Sequence, residues 1–207
     1  NAFVLRYSVK PSVFPVALLE AADAMTMIRE HAAEWHVDPD AIAVIGFSAG
    51  GHLAANLATS TSDDVLVAHG YDPDAVRPNG LMLAYPVITS GPLAHRGSFD
   101  SLLGERRNDS QALESVSIER HIDAKTPPVF AWHTVPDETV PYENTLMLID
   151  ACKKAGVSIE AHLFPQGGHG LSLGTAETAW QGVNGIEPSI QIWPQLAVSW
   201  MRRTFAR

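Results

Sequence analysis

The sequence predicts an α/β fold, a mostly parallel sheet flanked by helices. Short apolar runs suited to buried strands alternate along the chain with longer segments whose apolar residues recur every three or four positions. Strands separated by helices pair in parallel through right-handed crossovers, so this alternation indicates a layered sheet. The 207 residues are 46% apolar and 18% charged, which is enough apolar material for one core. We therefore interpret residues 1–207 as a single domain.

The first half of the chain is predicted to hold two strands and two helices. Ala2–Val9 has the β-branched and aromatic mix that favours a strand, and prolines follow it. From Pro15 to about Trp35, apolar residues fall on one face of a helix. Ala41–Ile45 is a continuous apolar run typical of a strand buried on both faces, and a helix of small residues follows from about Ala49 to Thr59.

The second half repeats the alternation. Leu81–Tyr85 and Val129–His133 are predicted strands, and a helix follows over Pro141–Lys154. Val157–Phe164 is predicted as a fifth strand, and Ile190–Phe205 has the pattern of an amphipathic closing helix.

Two long connections are predicted to hold little regular structure. Asp63–Asn79 has the composition of a polar loop. Pro86–Thr126 is predicted to be irregular, with short helices near Phe99–Leu103 and Ser110–Val116. The chain shows no internal repeat and no linker, in keeping with one domain.

The charge balance excludes some partners. Asp and Glu total 23 against 14 for Lys and Arg, a net charge of −9, so there is no basic excess to neutralise nucleic-acid phosphates or an anionic membrane surface. The stretch from Ala41 to Ser62 carries no charge and is long enough to raise the question of a transmembrane helix. Its glycines and polar residues argue instead for a buried strand and helix, so neither nucleic acid nor membrane is an expected partner.

The single cysteine bears on the cellular compartment, and the motifs that are missing bear on cofactors and metals. Cys152 is the only cysteine, so it can form no internal disulfide and no thiolate cluster. We interpret the protein as cytoplasmic, with a leader before Asn1 left open. The sequence has no P-loop, no G-x-G-x-x-G and no H-E-x-x-H pattern, and we predict neither a cofactor nor a metal.

The strongest chemical signal is a G-x-S-x-G pattern over Gly46–Gly50. In this pattern a serine lies on a sharp turn from strand to helix with its hydroxyl exposed, and the glycines avoid clashes with the neighbouring strand and helix. Here the pattern falls between the strand predicted to end at Ile45 and the helix predicted to begin near Ala49. We therefore predict that Ser48 is a nucleophile, the alternative being an ordinary tight turn.

A serine hydroxyl needs a base, and histidine has a suitable pKa. Nine histidines compete, and His169 has the most suggestive position because it lies in a glycine-flanked loop just past the last predicted strand. Asp137 is the predicted acid, since it follows the strand Val129–His133 at the same edge of the sheet. Glu138 and Asp150 are the competing carboxylates. The chain order Ser48, Asp137, His169 is that of the α/β-hydrolases.

Six segments carry a likeness to a known family: Gly46–Ala54, Ser98–Gly104, Thr126–Pro128, Trp132–Thr134, Val140–Asn144 and Gly167–Gly170. Together they resemble bacterial α/β-hydrolase esterases of the acetyl-xylan-esterase-like type, and the likeness spans nearly the whole chain. The resemblance implies an α/β-hydrolase fold and a serine esterase that acts on small acyl esters, with acetylated sugars or xylan as the favoured substrate class.

The chain departs from that family at its beginning. Members of the fold begin with further strands and a glycine-rich loop that supplies an oxyanion-hole amide, and nothing before Ser48 resembles this loop. We therefore expect the N-terminal strands to be lacking and the chain to be N-terminally incomplete. The backbone amide of Ala49 is the oxyanion donor that the resemblance leaves in place.

Substrate contacts and competing functions complete the expectations. Trp180 and Trp193 are predicted to border the entrance and stack on a sugar, although both could instead pack against the final helix. A serine peptidase of the same fold stays open, but its usual additional domain is not among these residues. A catalytically impaired relative also stays open, as does association into a homo-oligomer.

Overall fold

The computed structural model describes residues 1–180 and 184–206. Within these ranges four strands form one parallel sheet in the order β1-β2-β3-β4: β1 (Ala43–Phe47), β2 (Gly80–Ala84), β3 (Val129–Thr134) and β4 (Ile159–Phe164). Eight α-helices are described: α1 (Val16–Glu30), α2 (Ala49–Ala58), α3 (Asp63–Ala68), α4 (Pro73–Val76), α5 (Arg96–Leu103), α6 (Ser110–Ser115), α7 (Glu143–Ala155) and α8 (Trp193–Thr204). The predicted α/β class is confirmed.

Successive residues of the central strands enter opposite cores, as the two-residue period of a strand requires. Leu81 and Leu83 of β2 pack in the cluster that contains Leu148 of α7. Met82, which lies between them, packs in the cluster that contains Trp200 of α8. Every residue of β2 and β3 is buried, which explains why these strands are continuous apolar runs. Helices therefore cover both faces of the sheet.

The parallel strands all end at one edge of the sheet. Ser48 follows β1, Tyr85 follows β2, and the loops that contain Asp137 and His169 follow β3 and β4. This edge of an open parallel sheet is where α/β proteins place their ligands.

The strand predicted for Ala2–Val9 is wrong. The segment has no regular secondary structure, and Val4 is 97% exposed. A strand needs a neighbour for its backbone hydrogen bonds, and the segment pairs with none of the four strands of the described sheet. It is held by side chains instead: Phe3 packs on Trp35, and Ser8 donates two hydrogen bonds to Glu20.

The loop predicted for Asp63–Asn79 is also corrected, because it contains α3 and α4. Asp72 accepts a hydrogen bond from the amide of Asp74, and Pro73 begins the helix, so residues that suggest a turn here act as a helix start. The other elements are found with shifted ends; the first helix stops at Glu30 rather than near Trp35. No helix in the described ranges combines the length and the apolar character that crossing a bilayer requires.

Candidate active site

Ser48 lies at the junction of β1 and α2 in a rarely populated backbone conformation, with φ 53° and ψ −120°. Its amide donates to the carbonyl of Ala84 at 3.0 Å, which ties the turn to the end of β2. Its carbonyl accepts hydrogen bonds from Gly51 at 3.0 Å and from Val87 at 3.2 Å. Such strain persists only where the surroundings over-determine the conformation, and these bonds do so.

The glycines around Ser48 are required by close packing. A Cβ at Gly46 would overlap the carbonyl of Gly50 and lie 2.7 Å from the Cα of Gly51. A Cβ at Gly51 would lie 3.0 Å from the Cβ of Pro86, the second residue after the end of β2. The sequence therefore allows the helix to start directly against the strand that precedes it.

His169 reaches Ser48 from the loop after β4. Its Nε2 lies 2.7 Å from Oγ of Ser48, and its Nδ1 lies 2.7 Å from Oδ2 of Asp137. The ring stands edge-on to Tyr85 at a centroid distance of 5.0 Å, and the Thr134 hydroxyl donates to the carbonyl of Gly168 at 3.1 Å. Two strand ends thus hold the loop in place.

Asp137 is a fully buried side chain in the turn after β3. Its Oδ1 accepts the amides of Thr139 and Val140, both at 2.9 Å, while Oδ2 accepts from His169 and from His133. Burial alone would raise the pKa of the Asp137 carboxyl. The hydrogen bonds from His133, His169 and Val140, with the charge of His169, outweigh burial and hold this pKa well below its usual range.

The ionised carboxylate fixes the tautomer of the imidazole. Because a carboxylate can only accept, Nδ1 of His169 carries a proton and donates it to Asp137. Nε2 is then free to accept the Ser48 hydroxyl at 2.7 Å. The arrangement can withdraw a proton from the hydroxyl and stabilise the imidazolium that forms.

The competing carboxylates lie elsewhere. Glu138 is exposed, and Asp150 forms an ion pair at 2.6 Å with Lys154 on α7. Of the predicted candidates, the structure brings Asp137 to His169.

Ala49 is the first residue of α2, so its amide has no acceptor inside the helix. The N-terminus of a helix also favours negative charge. The amide therefore suits an oxyanion next to Ser48.

The two predicted tryptophans have different environments. Trp193 is 5% exposed, its ring stacks on Trp132 at 5.5 Å, and its Nε1 donates to the carbonyl of Ser172. A ring buried in this way cannot stack on a sugar. The prediction that Trp193 borders the entrance is therefore corrected, because its ring packs in the core. Trp180 is 43% exposed, and its backbone forms an isolated antiparallel β-bridge with that of Asn184.

A cavity of about 140 Å³ lies between residues 7–18 and helices α2 and α5. Its wall includes Ala49 and His52, but Ser48, Asp137 and His169 are not among the described residues that line it. Over the described ranges, no three His, Cys, Asp or Glu side chains are grouped so that they could hold a metal ion.

Two residues of the site were missed by reasoning from the sequence. His133 contacts the carboxylate of Asp137, and Tyr85 contacts the ring of His169. Both stand at the last position of a predicted strand, at the edge where the other candidates gather. That position was the available signal.

A parallel sheet whose first strand runs through a strained serine into a helix, with acid and histidine loops after later strands, defines the α/β-hydrolases. A solved structure of an acetyl ester-xyloside bifunctional hydrolase from Caldicellulosiruptor lactoaceticus is similar, with a TM-score of 0.80 and 37% identity over 97% of this chain and 70% of that one. The family model BD-FAE matches residues 5–151, and the chain belongs to this family.

Two curated relatives are longer proteins. Endo-1,4-beta-xylanase B of Butyrivibrio fibrisolvens is 33% identical over 188 residues, which are 88% of this chain and 29% of the relative. Acetylxylan esterase of Xylanibacter ruminicola is 28% identical over 177 residues, 84% of this chain and 35% of the relative. The chain thus spans about a third of the length of these relatives.

Proposed function

We propose that this chain is a serine carboxylesterase that hydrolyses short-chain acyl esters through Ser48, His169 and Asp137. The observation that carries the proposal is the unbroken line of two 2.7 Å hydrogen bonds from the Ser48 hydroxyl through His169 to the buried carboxylate of Asp137. The relative named acetylxylan esterase supports the ester class.

In the first half-reaction, Nε2 of His169 takes the hydroxyl proton while Oγ of Ser48 attacks the ester carbonyl carbon. The carbonyl oxygen becomes an anion, and the amide of Ala49 donates to it. As the tetrahedral intermediate collapses, the carbon–oxygen bond to the alcohol breaks and His169 returns the proton to the leaving alkoxide. An acyl group remains on Ser48.

In the second half-reaction, a water molecule replaces the alcohol. His169 removes a proton from the water as its oxygen attacks the acyl carbon, and the same proton then returns to Oγ of Ser48. The carboxylic acid leaves, and the serine is restored. Asp137 holds the imidazole in the required tautomer and stabilises its charged form in both steps.

We further propose acetyl groups on sugars or xylan as the substrate class. The support comes from names: one relative is an acetylxylan esterase, and the similar solved structure is of an acetyl ester-xyloside hydrolase. A small-molecule or carbohydrate ester is thus the proposed partner. Trp180, which is 43% exposed, is the proposed sugar platform.

The test of the reaction is hydrolysis of nitrophenyl acetate. We expect Ser48→Ala to lower kcat by on the order of 10⁶-fold and to abolish labelling by a fluorophosphonate. Ser199→Ala is the matched control, because Ser199 is exposed on α8 and its hydroxyl accepts a hydrogen bond from the side chain of Arg203. It should leave turnover and labelling unchanged. Wild-type protein that neither turns over the ester nor is labelled would contradict the proposal and favour an impaired relative.

The test of the substrate class compares acetylated xylo-oligosaccharides with nitrophenyl acetate. If Trp180 stacks on sugar, Trp180→Ala lowers kcat/KM for the oligosaccharide about 10-fold and leaves that for nitrophenyl acetate unaltered. Ile186→Ala, which also removes an exposed apolar side chain from this segment, serves as the control. An unchanged ratio between the two substrates in Trp180→Ala would reject the platform.

A further inference from the structure

A second histidine shares the carboxylate of the candidate site. His133 is the fifth of the six residues of β3, and its side chain is fully buried. Its Nε2 lies 3.2 Å from Oδ2 of Asp137 and 3.0 Å from the carbonyl of Val140. Its Nδ1 lies 2.8 Å from Oγ1 of Thr145 on α7. The oxygen that accepts from His169 therefore has a second imidazole beside it.

The hydrogen bonds fix the proton of this second ring. A carboxylate and a carbonyl can only accept, so Nε2 of His133 carries the hydrogen that lies between them. The Thr145 hydroxyl can donate, and it therefore completes the pattern by donating to Nδ1. The Thr145 hydroxyl on the neighbouring helix thus supports the tautomer that presents an N–H to Asp137.

We propose that His133 is a positioning residue for the Asp137–His169 pair. Its N–H holds the Asp137 carboxylate in one orientation and takes part of the acceptor strength of Oδ2, so that less is directed to the N–H of His169. The inference rests on the proposed function, since it concerns the strength of the base in that reaction.

The sign of the effect follows from the competition for Oδ2. Without the N–H of His133, Oδ2 binds the N–H of His169 more strongly and stabilises its imidazolium form. The acidic limb of kcat/KM should then move to higher pH. Asp137, His169 and Tyr85 are the titratable groups that face this arrangement, and they follow β3, β4 and β2; α7 contributes the uncharged Thr145.

The experiment is a pH profile of kcat and kcat/KM on nitrophenyl acetate from pH 5 to 9. We expect His133→Phe to lower kcat about 10-fold with little change in KM, because the base is misoriented. Its acidic limb should rise by about half a pH unit or more. His133→Gln, whose amide nitrogen can occupy the position of Nε2, should restore most of both. Thr145→Val should shift the limb in the same direction by less.

A matched control is His162→Gln. His162 lies on β4 directly beside Trp132 and pairs with Glu160, away from Asp137, so its profile should coincide with that of wild type. Thermal midpoints at pH 7 separate loss of fold from loss of positioning. If His133→Phe does not fold, the comparison of His133→Gln with Thr145→Val decides.

The outcomes divide cleanly. A folded His133→Phe with a wild-type profile overturns the inference while leaving the esterase intact, and so does an equal shift in His133→Phe and His133→Gln. Identical profiles of Thr145→Val and His133→Gln overturn it when the phenylalanine variant is unfolded. Wild-type protein without turnover or labelling of Ser48 defeats the proposed function itself, and the inference with it.

Discussion

The two sides of the candidate site are held by different kinds of interaction. On the nucleophile side, Ser48 keeps a strained backbone because Gly46 and Gly51 allow the strand and the helix to touch. On the acid–base side, Asp137 is buried and its two oxygens accept four N–H groups of the protein. The nucleophile side depends on glycines that have no Cβ, and the acid–base side depends on buried polar groups that all have hydrogen-bond partners. The two sides should therefore fail in response to different changes.

The strands that lead to the two sides also differ, in how deeply they are buried. β3, which leads to Asp137, is buried at all six positions. β1, which leads to Ser48, is at the edge of the described sheet and leaves Ile45 44% exposed. A buried polar network is strong when complete, because the low dielectric that strengthens each bond also penalises an unpaired group. The acid–base side should thus be the more sensitive to single-atom changes.

Among changes that leave Ser48 in place, the largest expected effect is on the acid–base side. Asp137→Asn puts an amide where a carboxylate accepts four N–H groups, so one N–H faces another and the tautomer of His169 is no longer fixed. We expect kcat for nitrophenyl acetate to fall about 10⁴-fold. Glu138→Gln, an exposed neighbour, is the control for a change of charge in the same loop. Equal rates for the two variants would show that Asp137 is not the acid.

The next effect tests the nucleophile side by adding one methyl group. Gly46→Ala places a Cβ against the carbonyl of Gly50, and backbone on both sides cannot move away. We expect a loss of about 3 kcal/mol in the free energy of unfolding and a strong loss of fluorophosphonate labelling. Gly168→Ala is the matched change on the other side, because no atom lies within 4 Å of its added Cβ. Urea unfolding of both variants measures the contrast, which would vanish if the turn could relax.

The smallest effect concerns pH. His52 on α2 is buried and donates to the carbonyl of Val116 at 2.8 Å. Burial lowers the pKa of His52 to about 4, although the hydrogen bond to Val116 opposes this shift. The unfolded chain, with a His pKa of about 6.5, therefore binds a proton first as pH falls. Stability should drop between pH 6.5 and about 4, by roughly 2 kcal/mol at pH 5.

His52→Gln keeps an N–H for Val116 but does not titrate, so it should lose less stability than wild type between pH 7 and pH 5. His69→Gln, at an exposed histidine, controls for the substitution. Parallel curves for wild type and His52→Gln would refute the assignment.

Asp137 affects stability in a different pH range. The pKa of its carboxyl in the folded protein lies below the unfolded value of about 4, so its contribution to stability is present above that pH and is lost only in stronger acid.

The sequence was most informative where the local pattern and the tertiary position agree. The runs for β2 and β3 are apolar because helices cover both faces, and the pattern alone locates them. The turn at Ser48 was recognisable because its glycines are sterically required. Ala2–Val9 has an equally good strand composition, yet pairing depends on a neighbouring strand rather than on the segment itself.

Side-chain partners across elements could not be predicted in the same way. His133 is four residues from Asp137, but its contact with Thr145 depends on how α7 packs against β3. Trp193 was predicted to border an entrance because it lies in the long segment after His169. Tryptophan is found both at surfaces and in cores, and the stacking of Trp193 on Trp132 could not be predicted from the sequence. The roles proposed for Ser48, Asp137 and His169 stay predictions until turnover is measured.

The positive φ of Ser48 has a consequence for engineering. Its amide donates to the carbonyl of Ala84 and its carbonyl accepts from the amides of Gly51 and Val87, so backbone hydrogen bonds rather than neighbouring side chains hold the turn that carries its hydroxyl. A library aimed at new acyl or sugar preferences can therefore vary exposed positions after His169, such as Trp180 and Ile186, while buried residues such as Trp193 are kept. The first turn of α2 should be left unchanged, because substitutions there would disturb the backbone that holds the proposed nucleophile.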